Sequence, residues 1–443
     1  MTYAEAVARL AALRGGEHAG MRPGLERIEG LLTALGRPEE RYALVQVGGT
    51  NGKGSVAAML AGVLRAAGRR VGLYTSPHLV SFRERIRVDG APIAEDAVAD
   101  GVDALGTLVA RLDATMFEAT TALALDHFAR ESVEVAVLEV GLGGRLDATT
   151  VGRPAATVLT RVDLDHEAWL GGTLAAIAAE KAAIIRAGPA IAAAQAPEVA
   201  DVIERRARAA GVPLLVEGRD LHVAARPVDL AGWRITCAGP GWRLDDLELP
   251  LAGAYQPGNA LLAVAAARLL GAGAPAIRAG LARVAWPGRF QLVPRPRVPG
   301  GWLVLDGAHN PGAAAALAVA LAARFGGGGG EITLVVGVSR DKDARGILSA
   351  LAPRARTLIL TRSSSARSAD PAALRTALPA PHPDVRLAAS AAEALAVAAG
   401  PGGTPIIGVA GSLFLVGDAL RHLAGGDKPC SVEKGADSIE FLF

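Results

Sequence analysis

From residue 43 onward, short apolar runs alternate with helix-length segments, and this alternation restricts the chain to few architectures. The runs are "ALVQV" (43–47), "RRVGLYT" (69–75), "EVAVLEVG" (134–141), "AATVLTRV" (155–162) and "GPAIAAAQ" (188–195). Strands without polar alternation need cover on both faces, and a parallel sheet wrapped by helices provides it. The expected fold class is α/β, a P-loop-type, mainly parallel sheet domain with helices on both faces. Residues 221–253, with period-two stretches such as "WRLDDLELPLAG", read as a β-rich segment within it. The proline- and glycine-dense "WPGRFQLVPRPRVPGG" (286–301) marks a linker. Beyond it "GWLVLDGAH", "EITLVVGVS", "TLILTR", "VRLAAS" and "TPIIGVAGS" restart the alternation. The reading is a central domain over 1–290, a smaller Rossmann-like C-terminal α/β domain over 298–425, and a peripheral tail at 426–443. The glycine run 326–330 reads as a flexible connection between a helix and a strand.

A chain of 443 residues, 51% hydrophobic and 20% charged, has apolar sequence for a core in each domain. Its formal charge of +2 gives no reason to expect nucleic acid or a membrane surface as partner. Two cysteines, Cys237 and Cys430, cannot build a disulfide framework and suit a reducing cytoplasm. The N-terminus lacks a signal-peptide core, and alanine-rich runs such as "PGAAAALAVALAARF" are shorter than the roughly 20 residues a bilayer requires. Only five of the 46 basic residues are lysine. A lysine inside a motif therefore hints that an amine, not a guanidinium fork, is needed there.

Lys53 is such a lysine. "GGTNGKGS" (48–55) follows an apolar strand and opens a helix, the setting in which backbone N–H groups hold phosphates. Gly49, Thr50, Asn51, Gly52, Lys53, Gly54 and Ser55 form the candidate nucleotide loop. Lys53 can reach terminal phosphate oxygens and Ser55 can ligate Mg²⁺. The common G-x-x-x-x-G-K-[ST] spacing fails, because Gly54 separates lysine from hydroxyl. Farther on, Glu139 ends an apolar strand beside the loop, where a parallel sheet presents a Mg²⁺ ligand.

With that inserted residue the loop resembles the amide-forming ATP ligases of the Mur ligase superfamily. Within it, the chain resembles the folylpolyglutamate synthase and dihydrofolate synthase family, although that loop typically begins alanine-glycine where Gly48 stands here. "LYTSPHLVSFRERIRVDG" (73–90) is similar to the family's folate-facing loop, with Ser76, Pro77, His78, Phe82, Arg83 and Arg85. By residue type alone, arginines beside an aromatic suit a flat anionic ligand, and a solvated charged hairpin is the alternative. "EVGLGGRLD" (139–147) reproduces the family signature and adds Asp147 as a substrate contact.

In "DLDHEAWLGGTLAAIAAEKAAIIRAG" (163–188) the resemblance makes His166 a metal ligand and Lys181 a lysine carbamylated by CO₂. A structural histidine and a Glu180–Lys181 surface pair are the alternatives, and Ala183 replaces the family's usual glycine. "LAGAYQPGNALLAVAAA" (251–267) offers Gln256 and Asn259 as a helix cap, a nucleotide contact, or both. Arg289 and Asp306 are implied nucleotide contacts, and His309 a glutamate contact, at the domain junction. Lys342 and Ser412, in "VGVSRDKD" and "GSLFLVGD", complete the set.

The resemblance implies an ATP- and Mg²⁺-dependent ligase, using two ions, that activates a carboxylate as an acyl phosphate. Lys53, His166, Lys181, Asp306 and His309 are its expected catalytic residues. The expected substrates are L-glutamate and either dihydropteroate or a reduced folate, with both activities in one cytoplasmic monomer. A monofunctional folylpolyglutamate synthase and a cell-wall Mur ligase are rivals, the latter opposed by "TSPHLVSFRERI". From other classes, a kinase or a P-loop switch would need no glutamate.

Overall fold

The computed structural model describes residues 1–13, 22–230, 232–326 and 332–425. The tail 426–443 and most of the glycine run 326–330 lie outside the described residues. An eight-stranded sheet orders its strands β4-β3-β2-β5-β1-β6-β7-β8. They are β1 (Ala43–Gly48), β2 (Val71–Tyr74), β3 (Ile86–Val88), β4 (Ala91–Pro92), β5 (Val135–Glu139), β6 (Pro154–Leu159), β7 (Ala190–Ala192) and β8 (Leu214–Val216). The pairs from β2 through β5, β1, β6 and β7 to β8 are parallel, and the β2–β3 and β3–β4 pairs at one edge are antiparallel.

Both faces are covered, as near-continuous apolar strands require. Val45 and Val47 of β1 join one core with the helices Lys53–Ala66 and Gln256–Leu269. Leu44 of β1 joins another with the helices Glu95–Leu112 and Met116–Arg130. The antiparallel strands β9 (His222–Val228), β10 (Gly232–Gly239) and β11 (Trp242–Leu249) form the β-rich segment as a separate three-stranded sheet.

The C-terminal sheet orders β12-β13-β17-β14-β15-β16. Its strands are β12 (Gln291–Pro294), β13 (Trp302–Leu305), β14 (Ile332–Val336), β15 (Thr357–Leu360), β16 (Val385–Leu387) and β17 (Ile406–Ala410). All pairs are parallel except β12–β13. The expected linker therefore contains a strand. β12 is an edge strand, where Pro294 removes no ladder hydrogen bond that the sheet needs. No helix among the described residues is long and apolar enough to cross a membrane.

Candidate active site

The carboxyl ends of β1, β5, β6, β7 and β8 face the carboxyl end of β13 across one cavity of about 740 Å³, within the size range of small-molecule sites. Of the residues expected at a site, Thr50, Asn51, Gly52, Lys53, Gly54, Ser55, Ser76, Pro77, Glu139, His166, Lys181, Asn259, Arg289, Asp306 and His309 line it.

β1 delivers the loop. Gly52 holds φ +96 at the N-cap of the helix Lys53–Ala66, and no side chain caps that helix. Its first-turn N–H groups therefore remain available to an anion. A β-carbon on Gly52 would lie 2.5 Å from Asn259 Oδ1. One on Gly54 would lie 3.1 Å from Trp286 Nε1 and 3.4 Å from Glu139 Oε1. The inserted glycine thus lets the strand-end carboxylate and an indole approach the loop together.

Lys53 Nζ donates to the Thr50 carbonyl at 3.0 Å. Burial lowers its pKa, and Glu139 and Asp165 partly offset that. Burial raises Glu139, against the charges of Lys53 and Arg289, and its Oε2 accepts from the Ser76 N–H at 3.1 Å. Asn259 Nδ2 donates to Gln256 Oε1 at 3.1 Å, and Gln256 Nε2 to Ser55 Oγ at 3.3 Å. One turn apart on one helix face, the glutamine and asparagine hold the loop's serine.

Lys181 is 4% exposed and donates to the Gly49 carbonyl at 2.9 Å. Burial, with repulsion from Lys53, lowers its pKa to about 7. The surface pair is excluded, since Glu180 pairs with Arg145 at 3.0 Å.

Asp165 gathers both domains. It accepts from Lys342 Nζ at 2.5 Å and Asn310 Nδ2 at 3.1 Å, with His309 Nε2 at 3.8 Å. Burial alone would raise Asp165, but the surrounding His166, Lys342 and His309 hold it well below the carboxylate range. Burial brings both His166 and His309 down to about 4, so at neutral pH Lys342 is the cation that matters there. Lys342 also donates to His166 Nε2 at 3.0 Å. Asn51 and Asn310 exchange amide hydrogen bonds of 3.2 and 3.0 Å, joining the loop to the C-terminal domain.

Asp306 ends its sheet as Glu139 does the other. It accepts from Tyr255 Oη at 2.6 Å and from the Phe290 and Ala308 N–H groups at 2.8 Å each. Burial still raises its pKa.

Several expected substrate residues stand off the cavity wall. Asp147 is buried, accepting from the Leu142 and Thr149 N–H groups at 2.8 and 3.0 Å, and braces the glycine turn. Arg85 is buried, donates to His78 Nδ1 at 2.9 Å and lies 5.8 Å over the Phe82 ring, so this segment is no solvated hairpin. Arg83 pairs with Glu95 at 3.7 Å, and Ser412 caps the helix Leu413–Leu423. Gly49 contributes its carbonyl to Lys181 rather than a cavity surface.

Asp163, Tyr255 and Glu217 line the cavity without having been singled out in the sequence. Asp163 sits in "VDLDH", whose acidic density after a strand was the available signal.

Among the described residues, no group of three or more His, Cys, Asp or Glu side chains could hold a metal ion alone. Ser55 and Glu139 are hard oxygen donors that fit Mg²⁺ once substrate phosphates supply further oxygens. His166 fits a second ion only if Lys181 contributes oxygen as a carbamate.

The Mur ligase middle domain model matches residues 47–267, and the Mur ligase glutamate ligase domain model matches 288–413. The folylpolyglutamate synthase of Lacticaseibacillus casei is 36% identical, covering 96% of this chain and 100% of that one. The dihydrofolate synthase/folylpolyglutamate synthase of Mycobacterium tuberculosis is 37% identical, over 80% of this chain and 77% of that one. A longer relative, a probable bifunctional folylpolyglutamate synthase/dihydropteroate synthase of Haloferax volcanii, is 40% identical, and the chain spans 44% of its length. The structure of Mycobacterium tuberculosis folylpolyglutamate synthase complexed with ADP superposes with a TM-score of 0.86 at 34% identity, covering 96% of this chain and 100% of that one.

Proposed function

The chain belongs to the Mur ligase family, in its folylpolyglutamate synthase/dihydrofolate synthase branch of ATP-dependent, ADP-forming ligases, and from that premise we propose that it joins L-glutamate to dihydropteroate and to reduced folates. The observation that carries the reading is the shared cavity. Phosphate-loop cation, strand-end carboxylates and neutral imidazoles from two domains surround one space.

In this reading Lys53 and the uncapped helix N-terminus take the triphosphate's charge. Ser55 and Glu139 would hold one Mg²⁺, and His166 with carbamylated Lys181 would hold a second. Mg²⁺ held there would supply charge that offsets the negative phosphates. Lys181 becomes carbamylated when its neutral amine adds to CO₂ and loses a proton, and a pKa of about 7 supplies that amine near neutral pH. The folate carboxylate attacks the γ-phosphorus and ADP leaves, with Lys53 and Arg289 neutralising the transferring charge. The α-amine of glutamate then attacks the acyl phosphate and expels phosphate. His309, neutral at pH 7 with its Nδ1 on the Gly307 carbonyl, offers Nε2 as an acceptor beside the incoming amine instead of a competing cation. Asp306 and Arg289 bring the C-terminal domain against the nucleotide, and closure excludes the water that would destroy the acyl phosphate. The protein acts as a cytoplasmic monomer.

Phosphate release tests this directly, with dihydropteroate or tetrahydrofolate, each with and without glutamate. Stoichiometric release that requires both folate and glutamate is expected with either acceptor. Release with only one acceptor reduces the reading to a monofunctional enzyme. ADP formed without glutamate and without phosphate release overturns it in favour of a kinase.

A further inference from the structure

At the end of the cavity away from Lys53, the ends of β7 and β8 face the first turn of the helix Gln256–Leu269. The walls there are apolar, formed by Ala193 and Leu262, with one carboxylate, Glu217, among them. Glu217 Oε2 accepts the Ala194 N–H at 3.0 Å. Oε1 accepts no hydrogen bond among the described residues and points toward Gly258, where a β-carbon would lie 3.2 Å away. Asn259, beside Gly258, reaches back to Gly52 of the phosphate loop. A nucleotide whose phosphates lie on that loop would extend its base toward this end.

We infer that Glu217 is a specificity-determining residue that reads the exocyclic 6-amino group of the purine base. The inference rests on the ATP-dependent ligase reading and assigns what selects the base. An apolar slot accepts any flat purine ring, so selection falls to its polar atom. Oε1 is an acceptor only, because an ionised carboxylate has no proton to donate. It therefore matches an amine N–H and opposes the 6-oxo group of a hypoxanthine or guanine base. Guanine could turn its N1–H and N2–H edge to a carboxylate, but that pairing uses two acceptor oxygens. Here the Ala194 N–H occupies one lone pair of Oε2 and fixes the carboxylate's orientation, so Oε1 is the oxygen presented to the base. The absence of a side chain on Gly258 keeps that oxygen's approach open.

The test is calorimetric titration of ADP, IDP and GDP into the wild-type chain and into Glu217→Ala, Glu217→Gln and Gly258→Ala. Wild type is expected to bind ADP about tenfold more tightly than IDP or GDP, the scale of one hydrogen bond to a charged group. Glu217→Ala should bring ADP and IDP within about twofold, through weaker ADP binding. Glu217→Gln retains an acceptor and should fall between the two. Gly258→Ala crowds Oε1 without touching its charge and adds helix propensity, so it should narrow the ratio with the fold intact. An unchanged ADP-to-IDP ratio in Glu217→Ala, or GDP binding more tightly than ADP to wild type, overturns the inference. Folate- and glutamate-dependent phosphate release in the same samples separates that result from failure of the ligase reading, because release can persist when base selection does not depend on Glu217.

Discussion

Lys181 stands on a helix whose other buried residues are alanine and isoleucine, and among the described residues its nitrogen donates to the Gly49 carbonyl alone. Burial and the nearby charge of Lys53 lower its pKa from 10.5 to about 7. The unfolded chain therefore holds a proton on this amine between about pH 7 and 10.5 that the folded chain has largely released. Folding stability falls as pH drops through that window, and the loss is complete below the folded value. Such a lysine is retained for chemistry and costs stability. With bicarbonate present, Lys181→Met should lower ligation about 10–100-fold, and in CO₂-free buffer it should not lower the melting temperature at pH 7. Its advantage over wild type should shrink as pH rises toward 10. A variant that melts well below wild type at pH 7 would show the lysine to be structural. Lys53, Glu139 and Lys181 were legible in the sequence because each sits in a local pattern. Tyr255 on Asp306 and Lys342 on Asp165 were not, since those contacts join residues 51 and 177 positions apart. Side-chain type is written locally, and partners at that range follow from how the sheets meet.

At the level of elements, the strand–loop–helix unit Ala43–Ala66 is built around Gly54. A helix disfavours glycine by about 0.5–1 kcal/mol relative to alanine, so Gly54→Ala should hold or raise intrinsic helix stability. The added methyl would meet Trp286 at 3.1–3.2 Å and Glu139 Oε1 at 3.4 Å, displacing the indole or the carboxylate. We expect ADP affinity to fall about tenfold, comparable to one charge-assisted contact, while the urea midpoint stays within error of wild type. Unchanged ADP affinity would sink this account of the glycine. The alternation of apolar runs announced the parallel sheets because period and length are local properties. The short β8 and the β3–β4 hairpin escaped notice, as did β12. Each is an edge or near-edge strand too short, or too rich in proline and charge, for an apolar run to mark it.

For the whole molecule, the two domains touch in several places, Tyr255 on Asp306 among them, and two of these contacts differ in kind. Outside the phosphate end, Arg324 of the helix Pro311–Phe325 stacks 4.5 Å over Trp233 and donates to the Gly232 and Ala252 carbonyls at 3.0 Å. This contact does not reach the cavity and serves as the fixed side of any closing motion. At the phosphate end, Asn51, Asn310, Asp165 and Lys342 connect through polar side chains alone. Polar contacts exchange with water more readily than packed ones, so this is the side that can open to admit substrate and close over it. Lys342→Met removes the cation from Asp165 while Asn310 still donates to it. The ligand-free variant should show a larger radius of gyration by solution scattering, and ADP and folate together should reduce it. With an incompletely closed site, water competes with glutamate for the acyl phosphate. Amide formed per ADP released should then fall well below one in Lys342→Met and stay near one in wild type. If both the radius of gyration and the coupling ratio match wild type, Lys342 does not contribute to closure.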